Sequence, residues 1–300
     1  MFSLRNAVAL LMVLAITFFP ISLPAQSGAI STAFADADVE GFDPLPESPM
    51  ARARREGNAL PLSLAEAVEM ARENSLFYDH QEAAAVGLVQ QSYWTLALAI
   101  SQYEIKRNSA NRLRENLRDS RMKLESGNIP NIEVAMAENA VVSAELHVVA
   151  AEKSILEAQN NLRQTMSSGG DTEVLEKFIA PVDPIYVIEF KIDSNTEIAA
   201  ALRNRSEIET GNSIIPDDVT IALRSLEDSR LLLVEAMRAQ ELAKTRYENE
   251  QKRYDAELAQ NYLLLDSLNA LTNSELLELQ AAINYKLEVA AFERLINALP

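Results

Sequence analysis

The feature that most constrains this chain is its internal repetition: slid by about 130 residues, its two halves fall into register without a gap. In the first half Val134, Ala137, Val141, Ala144, Val148, Ala151, Ile155, Ala158 and Leu162 recur at alternating spacings of three and four. That is a heptad seam with a branched or bulky residue at one position and Ala at the other. At the same offset Leu264, Ser267, Leu271, Ser274, Glu278, Ala281, Tyr285, Glu288 and Phe292 keep the large–small alternation, blurred at Glu278 and Glu288. The preceding segments correspond too. Val86, Val89, Tyr93, Leu96, Ile100 and Tyr103, continued by Ala110, Leu113, Leu117, Ser120 and Leu124, form one stripe; Leu226, Leu233, Ala243, Tyr247 and Tyr254 form its counterpart. Ahead of these, Ala71 and Asn74 align with Ala201 and Asn204. A period this long lies far beyond the repeats of solenoid proteins.

Each unit therefore reads as a short helix, a connection, and two long helices joined by a tight turn. The turns fall at residues 126–130, where Gly127 can end a helix in the left-handed region and Pro130 can open the next, and at residues 257–260. Each long helix has about 35 to 40 residues, or about 55–60 Å. The predicted fold is mainly α: two repeats of long antiparallel coiled-coil hairpins, with a small irregular segment between them and no complete set of barrel strands. The small seam residues Ala137, Ala144, Ala151, Ala158, Ser267, Ser274 and Ala281 let backbones approach closely but bury little area per helix. Such thin cores favour further helices alongside, and hence a homo-oligomer; a monomeric four-helix bundle is the alternative.

The expected organisation is a signal peptide over residues 1–35, an extended linker over 36–61, helical repeat 1 over 62–166, a crossover segment over 167–195 and helical repeat 2 over 196–300. Arg5 is followed by an apolar run from Ala7 to Phe19 that is too short for a membrane span, and Ala33-Phe34-Ala35 offers a small-x-small cleavage site, with cleavage after Ala25 as the alternative, so export is expected. The linker carries Pro44, Pro46, Pro49 and Pro61, with Arg52, Arg54 and Arg55 read as surface charge. There is no cysteine, which excludes disulfides, thiolate metal sites and a lipidated N-terminal cysteine. A net charge of −17 argues against nucleic acid as a partner.

No catalytic constellation is visible, and no cofactor is expected. His80 and His147 are the only histidines and have no metal-ligand spacing around them. No glycine-rich loop has the pattern of a phosphate cradle. Trp94, beside the Tyr93 seam position, reads as core packing. Acidic residues are strewn along helices as solvated faces, with pairs such as Glu248 and Lys252 four apart.

Leu62-Ser63-Leu64-Ala65-Glu66-Ala67-Val68 followed by Asn74 resembles the opening helix of the outer membrane efflux proteins, the TolC-like channels, as does the stretch from Ala201 to Ile208. Lys123-Leu124-Glu125-Ser126-Gly127 and Arg253-Tyr254-Asp255-Ala256-Glu257 resemble that family's helix ends, and residues 264–299, with Glu275, Asn284, Tyr285 and Ala291, its most typical part. The resemblance covers about residues 62–299 and includes the duplication. It implies an α-barrel-type trimer in the outer membrane and periplasm of a Gram-negative bacterium, a passive export conduit to which a periplasmic adaptor and an inner-membrane transporter dock. By the same resemblance the docking tips are Lys123, Gly127, Asn128, Arg253, Tyr254 and Glu257, and residues 181–191, with Ile185, Val187 and Ile188, belong to an equatorial belt.

The chain also departs from the family. Each family repeat holds two membrane strands between the short helix and the hairpin, whereas here only residues 76–85 and 209–220 are available, the latter with Asp217 and Asp218. Two strands of about 9 to 11 residues and a turn do not fit either gap. Glu257 stands where the family keeps a turn glycine. Two readings follow: an efflux-channel component, or a barrel-less periplasmic scaffold or adaptor-binding protein without transport activity.

Overall fold

The computed structural model describes residues 41–74, 82–166, 176–186 and 215–297, all within the unit Asp36–Pro300. The signal segment, His80, Val187, Ile188, the leading helix of the second repeat, and most of the crossover lie outside the described residues. The elements are α1 (Pro49–Arg55), β1 (Ala59–Leu62), α2 (Leu64–Asn74), α3 (Glu82–Glu125), α4 (Asn131–Met166), β2 (Phe178–Pro181), α5 (Ile215–Asp255) and α6 (Asn261–Asn297). The four long helices have 44, 36, 41 and 37 residues.

α3 packs along α4, α5 along α6, and α3 against α6, so the helices lie side by side in the order α4–α3–α6–α5. All nine seam residues of α4 from Val134 to Leu162 are buried. They face α3 within the hairpin, so this seam is filled by the chain itself. In α6 the seam is looser: Leu264, Ser267, Leu271, Ser274, Tyr285 and Phe292 are buried, while Glu278, Ala281 and Glu288 are half-buried. The most buried side chains of α3 are Tyr93, Leu96, Tyr103, Ala110, Leu117 and Ser120.

The proline-bearing lead-in is more structured than an extended linker. The Ser48 side chain caps α1 by accepting from the Ala51 amide, Pro49 occupies the first turn, and Gly57 (φ +69°) closes the helix. Arg55 pairs with Glu47 at 2.9 Å and Arg52 with Glu152 of α4 at 3.6 Å. The carbonyl of Pro46 accepts from Tyr103 and Arg107, and that of Asp43 from the buried Arg114, whose Nε also donates to Glu145 at 2.9 Å. Residues 43–52 thus form a strap across the α3–α4 hairpin. β1 then pairs in parallel with β2, in the register Ala59 with Phe178 to Leu62 with Pro181. Buried Gln159 of α4 completes the ladder, donating to the Ile179 carbonyl and accepting from its amide.

Just beyond, Ser63 and Glu66 form a reciprocal capping box that starts α2. Tyr93 ties the region together: its hydroxyl donates to Asp183, and accepts from the amides of Val182 and Asp183 at 3.2 Å each. Burial pushes the Tyr93 phenol well above its ordinary range, with the Asp183 carboxylate adding to the shift. These two four-residue strands are the only strands among the described residues.

Candidate docking site at the hairpin tips

The two turns repeat each other bond for bond. At the first, Ser126 N donates to Met122 O (3.1 Å), Gly127 N to Leu124 O (2.9 Å) and Asn128 N to Lys123 O (2.9 Å). At the second, Ala256 N donates to Lys252 O (3.1 Å), Glu257 N to Tyr254 O (3.0 Å) and Leu258 N to Arg253 O (2.8 Å). Both are Schellman closures, which require a left-handed residue just past the helix. Gly127 meets that requirement at φ +77° without strain; Glu257 meets it at φ +60° and is the only non-glycine residue with positive φ among the described residues.

The tips lie against each other. Lys123 Nζ donates to the Tyr254 carbonyl at 2.9 Å and sits 3.5 Å from the centroid of the Tyr254 ring, a cation–π contact. The Tyr254 hydroxyl is 3.0 Å from Ser120 Oγ, and Asn128 Nδ2 donates to Glu257 Oε1 at 2.9 Å. Of the six tip residues expected from sequence, Lys123, Asn128, Tyr254 and Glu257 therefore meet across the junction. Gly127 supplies only the turn, and Arg253 faces its own helix, pairing with Glu250 at 2.8 Å. Burial raises the Tyr254 phenol above its ordinary range.

One organising residue carries no tip motif. Asn261, fully buried at the start of α6, accepts from Asn116 Nδ2 (2.8 Å) and donates to Ser120 Oγ (3.1 Å) and the Glu133 carbonyl (3.4 Å). Its own amide donates to the Glu133 carboxylate at 3.3 Å. Its repeat counterpart, Asn131, is exposed. The shared Asn at the two helix starts was the available signal; the burial of only one of them was not visible in the sequence. Further from the tips, Thr272 donates to Ser109 at 2.8 Å and Arg112 pairs with Glu275 at 3.5 Å, which continues the junction along α3 and α6. Burial lifts the Glu275 carboxyl above its usual range, and Arg112 opposes the shift.

The junction leaves a cleft of about 260 Å³ between the tips, with Ile129, Glu133 and Leu258 on its walls beside the residues above. Leu258 is 74% exposed. On another side, where α4 and α6 flank α3, an open groove of about 830 Å³ is lined by Ser143, His147, Asn269, Thr272 and Asn273, with Lys106 and Asp266. Its wall mixes these polar groups with Leu113, Met136, Leu265 and Leu276, and has no arrangement of nucleophile, base and oxyanion donors. No group of three metal-ligating side chains occurs among the described residues.

Residues 57–168 match the family described as outer membrane efflux protein. No curated relative matches by sequence. Among solved structures, the fold is similar to that of the CmeC outer membrane channel of Campylobacter jejuni, with 13% identity, a TM-score of 0.58, and coverage of 82% of this chain and 66% of that one. It is similar also to the outer-membrane channel OprN, at 13% identity and a TM-score of 0.59, over 78% of this chain and 70% of that one. A membrane protein of Pseudomonas aeruginosa aligns at 11% identity and a TM-score of 0.57, over 78% and 68%. The chain thus spans about two thirds of the length of these proteins. Residues 57–168 carry the signature of the outer membrane efflux proteins, and the two hairpins together carry the TolC-like helical fold.

Proposed function

We propose that the chain is a component of an outer-membrane efflux conduit, exported to the periplasm, whose copies associate side by side and whose paired hairpin tips dock a periplasmic adaptor serving an inner-membrane transporter. The observation that carries this reading is the state of the two outer helices. On α4, Val142, Leu146, Val149 and Leu156 form an exposed apolar stripe opposite the buried seam; on α5, Leu231, Val234, Met237 and Leu242 are likewise exposed. With apolar residues on two faces, α4 is long and apolar enough to pass for a membrane span by composition, at a mean hydropathy of 1.3, although its own hairpin already covers one of those faces. Stripes on both outer edges suit a head-to-tail ring, in which α4 of one copy meets α5 of the next. The concave groove beside α3, whose lining mixes polar and apolar side chains, then contributes an inner wall along which solutes pass without chemistry.

Two measurements test it. The oligomeric mass of the purified chain should be a multiple of the protomer, and Leu146→Glu should return it to a single copy; a wild-type monomer at all concentrations defeats the ring. For docking, Lys123→Glu should weaken recovery of the adaptor with helicity unchanged. Arg253→Glu, whose partner is on its own helix, should have the smaller effect.

A second reading, a periplasmic scaffold that binds an adaptor without spanning the membrane, draws support from chain length. Only residues 75–81 separate α2 from α3. That is too few for a pair of membrane strands of about 9 to 11 residues each. Carbonate extraction separates the two: retention in the outer membrane favours the channel component, and release into the soluble fraction favours the scaffold.

A further inference from the structure

Far from the tips, near the other ends of α3 and α6, a second cavity of about 290 Å³ opens between these helices and the start of α2. That is at the lower edge of the range for small-ligand pockets. Its walls are Leu64, Trp94, Tyr285, Val289 and Ala290, and Trp94 and Tyr285 are each only 4% exposed. Trp94 is held in place by an edge-to-face contact with Tyr93, ring centroids 5.3 Å apart at 90°. Into this apolar space projects the half-buried Lys286, its Nζ 4.6 Å from the centroid of the Trp94 ring. No hydrogen bond or ion pair holds that ammonium among the described residues. The nearby Asp183 carboxylate is engaged by the Tyr93 hydroxyl and the Leu64 amide. Burial holds the Lys286 ammonium below the ordinary lysine range, and Asp183 opposes the shift. Gln90 Oε1 is buried at the same cavity without a partner among the described residues.

We infer that this cavity binds a single-chain anionic amphiphile: the anionic head pairs with Lys286, and the apolar chain lies over Trp94, Tyr285, Val289 and Ala290. A cation that makes no hydrogen bond or ion pair of its own, set in a mostly apolar wall, supplies one strong polar contact beside hydrophobic area, which is the pattern an acyl chain with a charged head requires. Glu293, two helical turns beyond Lys286, lines the other end of the cavity, where an anionic head is disfavoured. The unpartnered Gln90 carbonyl accepts from a hydroxyl on the head.

Trp94 is the only tryptophan in the protein, so its emission reports this cavity alone. Below their micellar concentrations, decanoate and 1-decanoyl-lysophosphatidylglycerol are each titrated into the full mature chain, with decanol and decyltrimethylammonium as neutral and cationic controls. The expected result is a saturable change in Trp94 emission with both anions. Lys286→Met should weaken them about tenfold while leaving decanol unchanged, and Lys286→Arg should restore them. Tighter binding of decanoate identifies a carboxylate head, and tighter binding of the lysophospholipid a hydroxylated phosphodiester head; both support the site. Non-saturable emission, equal affinity for all four probes, or anion binding untouched in Lys286→Met overturns it. A thermal melt of each variant shows that the fold is intact, and the outcome is independent of whether copies of the chain form a ring.

Discussion

The two hairpins share one plan but are supported differently. α3–α4 is covered by the strap of residues 43–52, by β1 and β2 through Gln159, and by α2, and its seam is buried from Val134 to Leu162. α5–α6 has none of these covers among the described residues; α5 buries only Leu226, Ser229, Leu233 and Tyr254 of its described side chains. The repeat was therefore not duplicated into two equivalent halves. The first hairpin buries its own seam beneath these covers, while the second leans on α3 and leaves most of α5 exposed among the described residues.

The sharpest way to break this comparison is to overpack equivalent seam positions. Ala151 is 2% exposed, whereas Ala281, its counterpart at the repeat offset, is half-buried. Ala151→Leu should destabilise by about 1–3 kcal/mol, and Ala281→Leu by less than about 1 kcal/mol. Urea unfolding of the two variants measures both. If Ala281→Leu is as damaging as Ala151→Leu, the second hairpin is packed as tightly as the first, through another copy or otherwise.

Asn261 gives the next largest contrast. Asn261→Ala strands Asn116 Nδ2 and removes two bonds to Ser120 and Glu133, an expected loss of about 2 kcal/mol from leaving buried polar groups unpaired. Asn131→Ala, at the exposed counterpart, should change stability by less than about 0.5 kcal/mol. Equal losses would mean that Asn261 acts only as a helix start and not as the knot between hairpins.

The turns sharpen the comparison further. Glu257→Gly relieves a left-handed side-chain residue and should stabilise by about 1 kcal/mol, less whatever the Asn128 bond contributes. Gly127→Ala, at the matching position, should lose about 1 kcal/mol, because the added Cβ meets no neighbour but the backbone conformation disfavours it. Opposite signs at equivalent positions are the expected signature, read as a shift in Tm.

These contrasts also show what was legible in the sequence and what was not. The seam of α4 was readable because a heptad needs only local spacing, and Gly127 and Pro130 mark a turn by their own conformational limits. The second turn was readable only through the repeat, since Glu257 is not a residue that chooses φ > 0. The strap was not readable: prolines at 44, 46 and 49 suggest an extended chain, and α1 forms there because Ser48 caps it and Pro49 starts it. Nor was the tip knot, since Asn116 and Asn261 meet across 145 positions. Lys286 and Trp94 were equally out of reach, because nothing local to either residue points to the other.

The smallest expected effect concerns pH. Glu278 occupies a seam position where the first repeat has Val148, and burial raises its carboxyl above the usual range, with Glu275 adding repulsion. A carboxyl with a raised folded-state pKa is penalised when ionised, so the penalty is absent below the unfolded-state pKa and grows as pH rises through the folded-state value. Glu278→Gln should therefore raise Tm at pH 7 and leave it unchanged below about pH 4. Tm measured against pH for the variant and the parent chain decides the matter. Parallel curves would show that the half-open second seam already solvates Glu278, and that the position is tolerated because the second hairpin never closes over it as the first closes over Val148.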